Sequence, residues 1–315
     1  MGIKATIIGA GSVGSTIAFM MAVKDIASEV VLIDVNTKKA MGEALDIRQG
    51  TPLCAPITVY AGSYVDAADS DVVIITSGVA RKAGQARLAL AQTNTDIIKS
   101  IAPKITKYAP NAYYIIVSNP VDIMTYVFHK VTDIPKSHII GTGTLLDTAR
   151  LCSRLAEFLN VSQKNVHAYA LGEHGDSMFV PWSLAQVCNT PLADYRKNLD
   201  FGIIELPELN YDEIEEYIRT SGGKIISRKG ATYYAVSIAV CHIIECLFSS
   251  VNTVMAVSTM LEGEYGIEDV CLSIPTFVGH GGVKGRVLPD LTDEELKRLH
   301  NSANVLKEVI SGLEI

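Results

Sequence analysis

Three glycines, Gly9, Gly11 and Gly14, follow a short apolar run and lead into an amphipathic stretch, and Asp34 closes the next apolar run. At that spacing each residue type has a physical task. The first glycine makes a tight turn, the second lets backbone approach a pyrophosphate, the third packs helix on strand, and the acid accepts hydrogen bonds from a ribose. Phosphate then rests on free N–H groups at a helix N-terminus, where the macrodipole favours negative charge. Val13, inside the motif, counts with these residues as a cofactor contact. A carboxylate at Asp34 repels the extra 2′-phosphate of NADP, so the cofactor read here is NAD.

Four further segments carry polar side chains that a merely structural chain has little use for: Arg81 to Arg87, Ser118-Asn119-Pro120, Asp147 to Arg150, and Gly172-Glu-His174-Gly-Asp176. An imidazole gives or takes a proton near neutral pH, and a carboxylate accepting its other ring N–H fixes the tautomer and stabilises the imidazolium. His174 and Asp147 fit those two roles and would titrate as a unit. Arg150 lies one helical turn after Asp147, so both face one cleft. A guanidinium there offers a planar fork to a carboxylate, a geometry that lysine cannot reproduce. The glycine-punctuated basic segment 78–88 reads as a mobile loop.

The elements that must position these residues alternate in the N-terminal half. Ala5–Ile8, Val30–Ile33, Val72–Thr76 and Tyr114–Val117 are short β-branched runs, and Ser15–Lys24, Thr37–Gln49 and Gln92–Tyr108 are longer amphipathic stretches. Such alternation builds a parallel sheet covered by helices on both faces, and the continuous apolar strands agree with burial on both sides. The fold class is α/β: a Rossmann-type doubly wound parallel sheet over residues 1–141, then a mixed α+β catalytic part over 142–315. That second part opens on long helical stretches, Leu145–Leu159 and Asp212–Ser249, with a strand-like His167–Leu171 between them. Thr292 followed by Glu295 is a capping box for a last helix reaching about Leu313.

Composition excludes several classes. With 27 Lys+Arg against 34 Asp+Glu, a net charge of -7 and no basic run, the chain has no field to attract nucleic acid or an anionic membrane. The apolar stretch Ala231–Phe248 is interrupted by His242 and Glu245 and reads as a buried helix rather than a bilayer span. The first residues are too short an apolar run for an export signal. Six widely spaced cysteines without a CxxC pair read as reduced thiols of a cytoplasmic protein, with no metal site.

Taken together, the glycine motif, the four polar segments and Gly230-Ala-Thr232-Tyr-Tyr-Ala closely resemble the NAD-dependent L-lactate/malate dehydrogenase family, and the likeness covers essentially the whole chain. In tone it is nearest to the bacterial L-lactate dehydrogenases. The resemblance implies hydride transfer between a nicotinamide and a 2-keto/2-hydroxy acid, with His174 as proton donor, Asp147 as its partner and Arg150 on the substrate carboxylate. It places Asn119 near the nicotinamide and the substrate oxygen. It also makes segment 78–88 a closing loop whose Arg87 polarises the carbonyl. The family's usual Pro and Thr in this loop are Ala83 and Ala86, and Ala89 replaces a frequent Asp.

The substrate turns on Arg81, which falls where lactate-specific members carry Gln and malate-specific members carry Arg. A guanidinium without a partner in a dry site is costly, whereas one forked onto a second carboxylate is favoured. Arg81 therefore predicts oxaloacetate and L-malate, with pyruvate and L-lactate as the alternative. Thr232 pulls the other way, matching the lactate-type residue near the substrate methyl. The family implies a homotetramer, with a homodimer as the alternative. Many bacterial members bind fructose 1,6-bisphosphate through an Arg and a His; His167 matches the His, but Cys152 stands at the Arg position, so activation is expected to be weak or absent. Two other classes fit less well. A metal-dependent NAD glycosidase needs a Cys near His174, and an NAD-sensing module has no use for Asp147, Arg150 and His174 together.

Overall fold

The computed structural model describes residues 2–79, 87–195, 197, 199 and 207–315. In the N-terminal half, β1 (Lys4–Ile8), α1 (Ser12–Val23), β2 (Glu29–Ile33), α2 (Thr37–Gly50), β3 (Thr58–Ala61), β4 (Val72–Ile75), α3 (Arg87–Tyr108), β5 (Tyr113–Ile116), α4 (Val121–Lys130) and β6 (Ile139–Gly141) alternate as the apolar pattern predicts. Their strands pair in parallel in the order β3-β2-β1-β4-β5-β6. Strand order therefore reverses between β1 and β4, where open α/β sheets hold their ligands. Every residue of β4 is buried, as are the last four of β1 and β2. These runs of Val and Ile have no wet face and so show no alternation.

The chain continues through α5 (Leu145–Leu159), the small antiparallel strands β7 (Val166–His167), β8 (Gln186–Val187) and β9 (Thr190–Pro191), and α6 (Leu192–Tyr195). It then forms α7 (Tyr211–Lys229), α8 (Tyr234–Leu247), β10 (Thr253–Glu262), β11 (Glu268–Gly279), β12 (Gly282–Arg286) and α9 (Asp293–Ser311). The last three strands do not build a sheet of their own. β10 pairs antiparallel with β6 through Ser258 and Gly141, so among the described residues nine strands share one sheet.

Several details differ from the sequence pattern. The stretch read as one helix over 212–249 is two, because Gly230 adopts φ +85° and ends α7. The strand read over His167–Leu171 pairs only at Val166–His167, with single bridges at Leu171 and Gly172. The capping box holds: Thr292 accepts the Glu295 N–H, and Glu295 accepts the Thr292 N–H.

Helix α8 is buried on one face only: Val240, Ile243, Ile244 and Leu247 cluster with Ile17 and Met21 of α1, whereas Tyr234, Ile238, His242 and Glu245 are exposed, so the expectation of a buried helix holds for half of its surface. Among the described residues no helix is long and apolar enough to cross a membrane. A second body of side chains, including Ile98, Phe128, Ile274, Leu299 and Leu306, fixes α3, α4 and α9 on the other face of the sheet. Each such fully buried side chain contributes about 1.5–3 kcal/mol. Helix α4 packs on the sheet through this second body, whereas α5 buries Leu151, Leu155 and Leu159 in a separate cluster with Val166, Ala170 and Ile218.

Candidate functional site

At the switch point the three glycines play three separable parts. Gly9 has φ +109°, and a side chain there would meet Thr76 Oγ1 at 2.6 Å. A Cβ on Gly14 would lie 1.9 Å from the Gly9 carbonyl oxygen, so α1 can approach β1 only through glycine. A Cβ on Gly11 would meet nothing within 4 Å. The protein itself therefore leaves the space above the N-terminus of α1 clear, which is the cradle a pyrophosphate needs.

Asp34, just after β2, is held by two backbone donors: its Oδ2 accepts the Ala10 N–H at 2.7 Å and its Oδ1 the Asn36 N–H at 2.8 Å. Each oxygen keeps a second lone pair for a ribose hydroxyl. Gly9, Gly11 and Asp34 line one cleft of about 520 Å³ with Tyr64, Thr76 and Ile101, and this donor set fits NAD. Gly11→Val should melt where the unmodified protein melts yet bind NADH at least about 10-fold more weakly, the loss of about 1.4 kcal/mol at the phosphates. Gly14→Ala should lower the melting temperature instead, because overpacking costs about 1–3 kcal/mol. Calorimetric NADH titration beside thermal melts checks both.

A second cleft, about 290 Å³, gathers Val13, Asn119, Asp147, Arg150, His174 and Thr232. Two elements present its chemistry and share one anchor. The segment carrying His174 is bonded to β11 through Gly172 and Ser273, whose backbones exchange N–H donors at 2.9 and 3.1 Å. The Ser273 hydroxyl also accepts the N–H of Thr144 at the head of α5, at 3.0 Å. Helix α5 buries Leu151, Leu155 and Leu159, which turns Asp147 and Arg150 toward the cleft.

Asp147 is the hinge of the constellation. Its Oδ2 lies 2.5 Å from His174 Nδ1, and its Oδ1 accepts from Arg150 Nη1 at 2.8 Å. Burial works to raise the Asp147 carboxyl, but the imidazolium of His174, their hydrogen bond and Arg150 together hold it below the usual carboxylate range. The reciprocal effect raises His174: the Asp147 charge outweighs the burial that would lower it. The pair is thus an ionised carboxylate and an imidazole that keeps its proton to higher pH than a free one. With Nδ1 engaged, Nε2 remains for a substrate.

Asp122 and Asn94 escaped the sequence reading. Asp122, buried in the first turn of α4, accepts the His174 backbone N–H at 2.7 Å. Burial pushes its carboxyl up, against the opposing pull of the nearby Ser258 hydroxyl and of that N–H. Asn94, buried on α3, donates to the Asn119 carbonyl at 2.7 Å and accepts the Val79 N–H at 2.8 Å, joining the ends of β4 and β5. In sequence Asp122 looks like an ordinary acid at a helix start and Asn94 like a surface helix residue. Their partners lie 52 and 25 residues away, so no local spacing marks them. Arg81 and most of segment 78–88 lie outside the described residues; Arg87 opens α3, and its side chain also lies outside them.

Comparison with known proteins adds independent findings. Residues 3–141 match the model of the lactate/malate dehydrogenase NAD-binding domain, and residues 144–314 that of the lactate/malate dehydrogenase alpha/beta C-terminal domain. The chain is 44% identical over 312 residues to the L-lactate dehydrogenase of Acetivibrio thermocellus, covering 99% of this chain and 98% of that one. It is 42% identical to that of Thermoanaerobacterium saccharolyticum, covering 99% of each. Among solved structures, the minor L-lactate dehydrogenase of Enterococcus mundtii superimposes with a TM-score of 0.94 at 36% identity, covering 100% of this chain and 99% of that chain. A lactate dehydrogenase from a Medee basin deep-sea metagenome gives 0.92, also at 36% identity and covering 99% of each.

Proposed function

The chain belongs to the lactate/malate dehydrogenase family and is an NAD-dependent 2-hydroxy acid dehydrogenase, and on that premise we propose that its substrate pair is pyruvate and L-lactate. The observation that carries a catalytic rather than a merely binding role is the His174–Asp147–Arg150 constellation on a cleft that also includes Val13 and Asn119. A dinucleotide sensor would gain nothing from a charge-paired imidazole open to the cleft. Bound NAD supplies or accepts the hydride.

The chain's own residues do the rest. Arg150 keeps N–H groups beyond the one given to Asp147 and uses them as a fork on the substrate carboxylate. His174 Nε2 gives its proton to the carbonyl oxygen in reduction and takes it back in oxidation. Asp147 stabilises the imidazolium, and Asp122 holds the backbone of that residue in place. The resemblance assigns Arg87 to the polarised carbonyl and Asn119 to the nicotinamide side.

Two observations support pyruvate. The relatives at 42–44% identity are named L-lactate dehydrogenases, and Thr232, which lines the cleft, matches the lactate-type residue that the resemblance sets near the substrate methyl. One observation favours oxaloacetate and L-malate as a second reading: the guanidinium of Arg81, known from sequence alone, suits a second carboxylate. The test is kcat/KM for pyruvate and oxaloacetate with NADH, side by side. Pyruvate should be preferred, and a preference for oxaloacetate overturns the reading. Under the second reading Arg81→Gln shifts the ratio toward pyruvate by about 30- to several-thousand-fold, the effect of unpairing one buried charge. The same proposal takes the protein as a cytoplasmic homotetramer, with weak or no activation by fructose 1,6-bisphosphate because Cys152 offers no guanidinium.

A further inference from the structure

Helix α7 carries two adjacent glycines, Gly222 and Gly223, well inside its span. Glycine is a poorer helix former than alanine, so a glycine retained there usually serves a close backbone approach. Neither residue meets one. A Cβ on Gly222 would find only Arg150 Nη2, at an ordinary 3.9 Å, and a Cβ on Gly223 would find nothing within 4 Å. Packing among the described residues therefore does not demand these glycines.

Both line the substrate cleft, with Arg219 one turn before Gly222 and Ile226 one turn after it, the spacing of a single helix face. Arg219 itself lines the cleft, and its guanidinium is neutralised by Glu216 at 2.8 Å and Glu215 at 3.6 Å and reaches the Met178 carbonyl at 3.4 Å. Ile226 is 49% exposed, and across the cleft stand Leu146, Met178 and Val236. The missing methyl groups thus leave space beside the carboxylate fork, bordered by the apolar Leu146, Met178, Ile226 and Val236 and, at one end, by the ion-paired Arg219.

We infer that the glycine pair Gly222-Gly223 widens the substrate cleft so that the enzyme also reduces 2-keto acids bearing branched or aromatic apolar substituents. The inference rests on the dehydrogenase reading above and names a wider substrate class for the same site. The reaction balances as it does for pyruvate. The carbonyl carbon gains a hydride from the reduced nicotinamide and its oxygen gains the His174 proton, so the keto acid is reduced to a hydroxy acid and the cofactor is oxidised. Arg150 holds the carboxylate, and the substituent lies along the glycines toward Ile226.

The test uses the full-length protein and the double variant Gly222→Ala with Gly223→Ala, assayed with NADH on pyruvate and on the keto acids of leucine and phenylalanine. The unmodified protein should reduce all three. In the double variant the ratio of kcat/KM for the leucine keto acid to that for pyruvate should fall about 10- to 200-fold, the usual effect of a methyl-sized change in an apolar pocket. Its melting temperature should rise, because alanine favours the helix. An unchanged ratio overturns the proposal. So does a lower melting temperature, or a change in molecular mass by light scattering, either of which would give the glycines a packing role. Reduction of pyruvate without reduction of either larger acid overturns this proposal alone. Failure to reduce any keto acid overturns the dehydrogenase reading with it.

Discussion

Replacement of His174 by alanine is expected to lower kcat/KM for keto acid reduction by about three orders of magnitude while the Kd for NADH stays near its original value. A positioned general acid contributes about 100- to 10,000-fold, and here the imidazolium also places positive charge beside an oxygen that becomes negative as the hydride arrives. The adenosine and pyrophosphate contacts lie elsewhere, at Gly11 and Asp34 in a cleft that His174 does not line, and only Val13 and Asn119, on the nicotinamide side, share the His174 cleft. Binding and turnover should therefore separate. His174→Asn, which keeps a polar group of similar size beside Asp147, should lose as much, since an amide cannot deliver the proton. Fluorescence titration of NADH alongside steady-state kinetics decides the matter. Parallel loss of affinity and rate would make His174 a structural residue.

What the sequence reveals about this site follows from how local each constraint is. The glycine motif is legible because its demands are steric and lie within one turn of chain. Gly14 meets Gly9, and the open side of Gly11 belongs to the helix it precedes. Strands β1, β2 and β4 are legible because burial on both faces leaves them few polar positions: Lys4 and Glu29 at their starts, and Thr6, whose hydroxyl is paired with that of Ser70. The break at Gly230 is harder to read, since α7 and α8 join through only a few residues and apolar side chains continue on both sides. β11 gives no alternating pattern and contains Pro275, so its place in the sheet depends on β10 and β12 rather than on its own residues.

The catalytic pair falls between these cases. His174 and Asp147 are 27 residues apart and meet because Ser273, on a third element, ties both segments to β11. Residue chemistry suggested the partnership, but only the fold brings the two within hydrogen-bond reach. Asp122 and the glycine pair of α7 have no such chemical signature. A buried acid under a backbone N–H and an absent methyl group become visible only when the cleft is seen from all its walls.

The second large effect belongs to Asp147. In the unmodified protein, reduction needs the imidazolium, so kcat/KM for pyruvate should stay level on the acid side and fall as pH climbs through the folded His174 value, which lies above the ordinary 6.5. Lactate oxidation needs the neutral ring and should rise across the same range. Asp147→Asn removes the charge that raises His174 and leaves the burial that lowers it; Asp122 still raises the group and Arg150 still opposes it. The falling limb should move acidward, with reduction at neutral pH down about 100-fold and partly recovered at lower pH. Stability carries the same signature. The raised His174 contributes stability that is complete below its ordinary value of 6.5 and disappears as pH rises through the folded value. The lowered Asp147 contributes stability that is complete above its ordinary 3.8 and disappears as pH falls. The variant's deficit in melting temperature should therefore be greatest between those two values and shrink toward either side. Rate profiles carried from below pH 6.5 to well above it, beside melts from below pH 3.8 upward, test both statements, and a limb that stays in place would mean that the protonation of His174 is set by something other than Asp147.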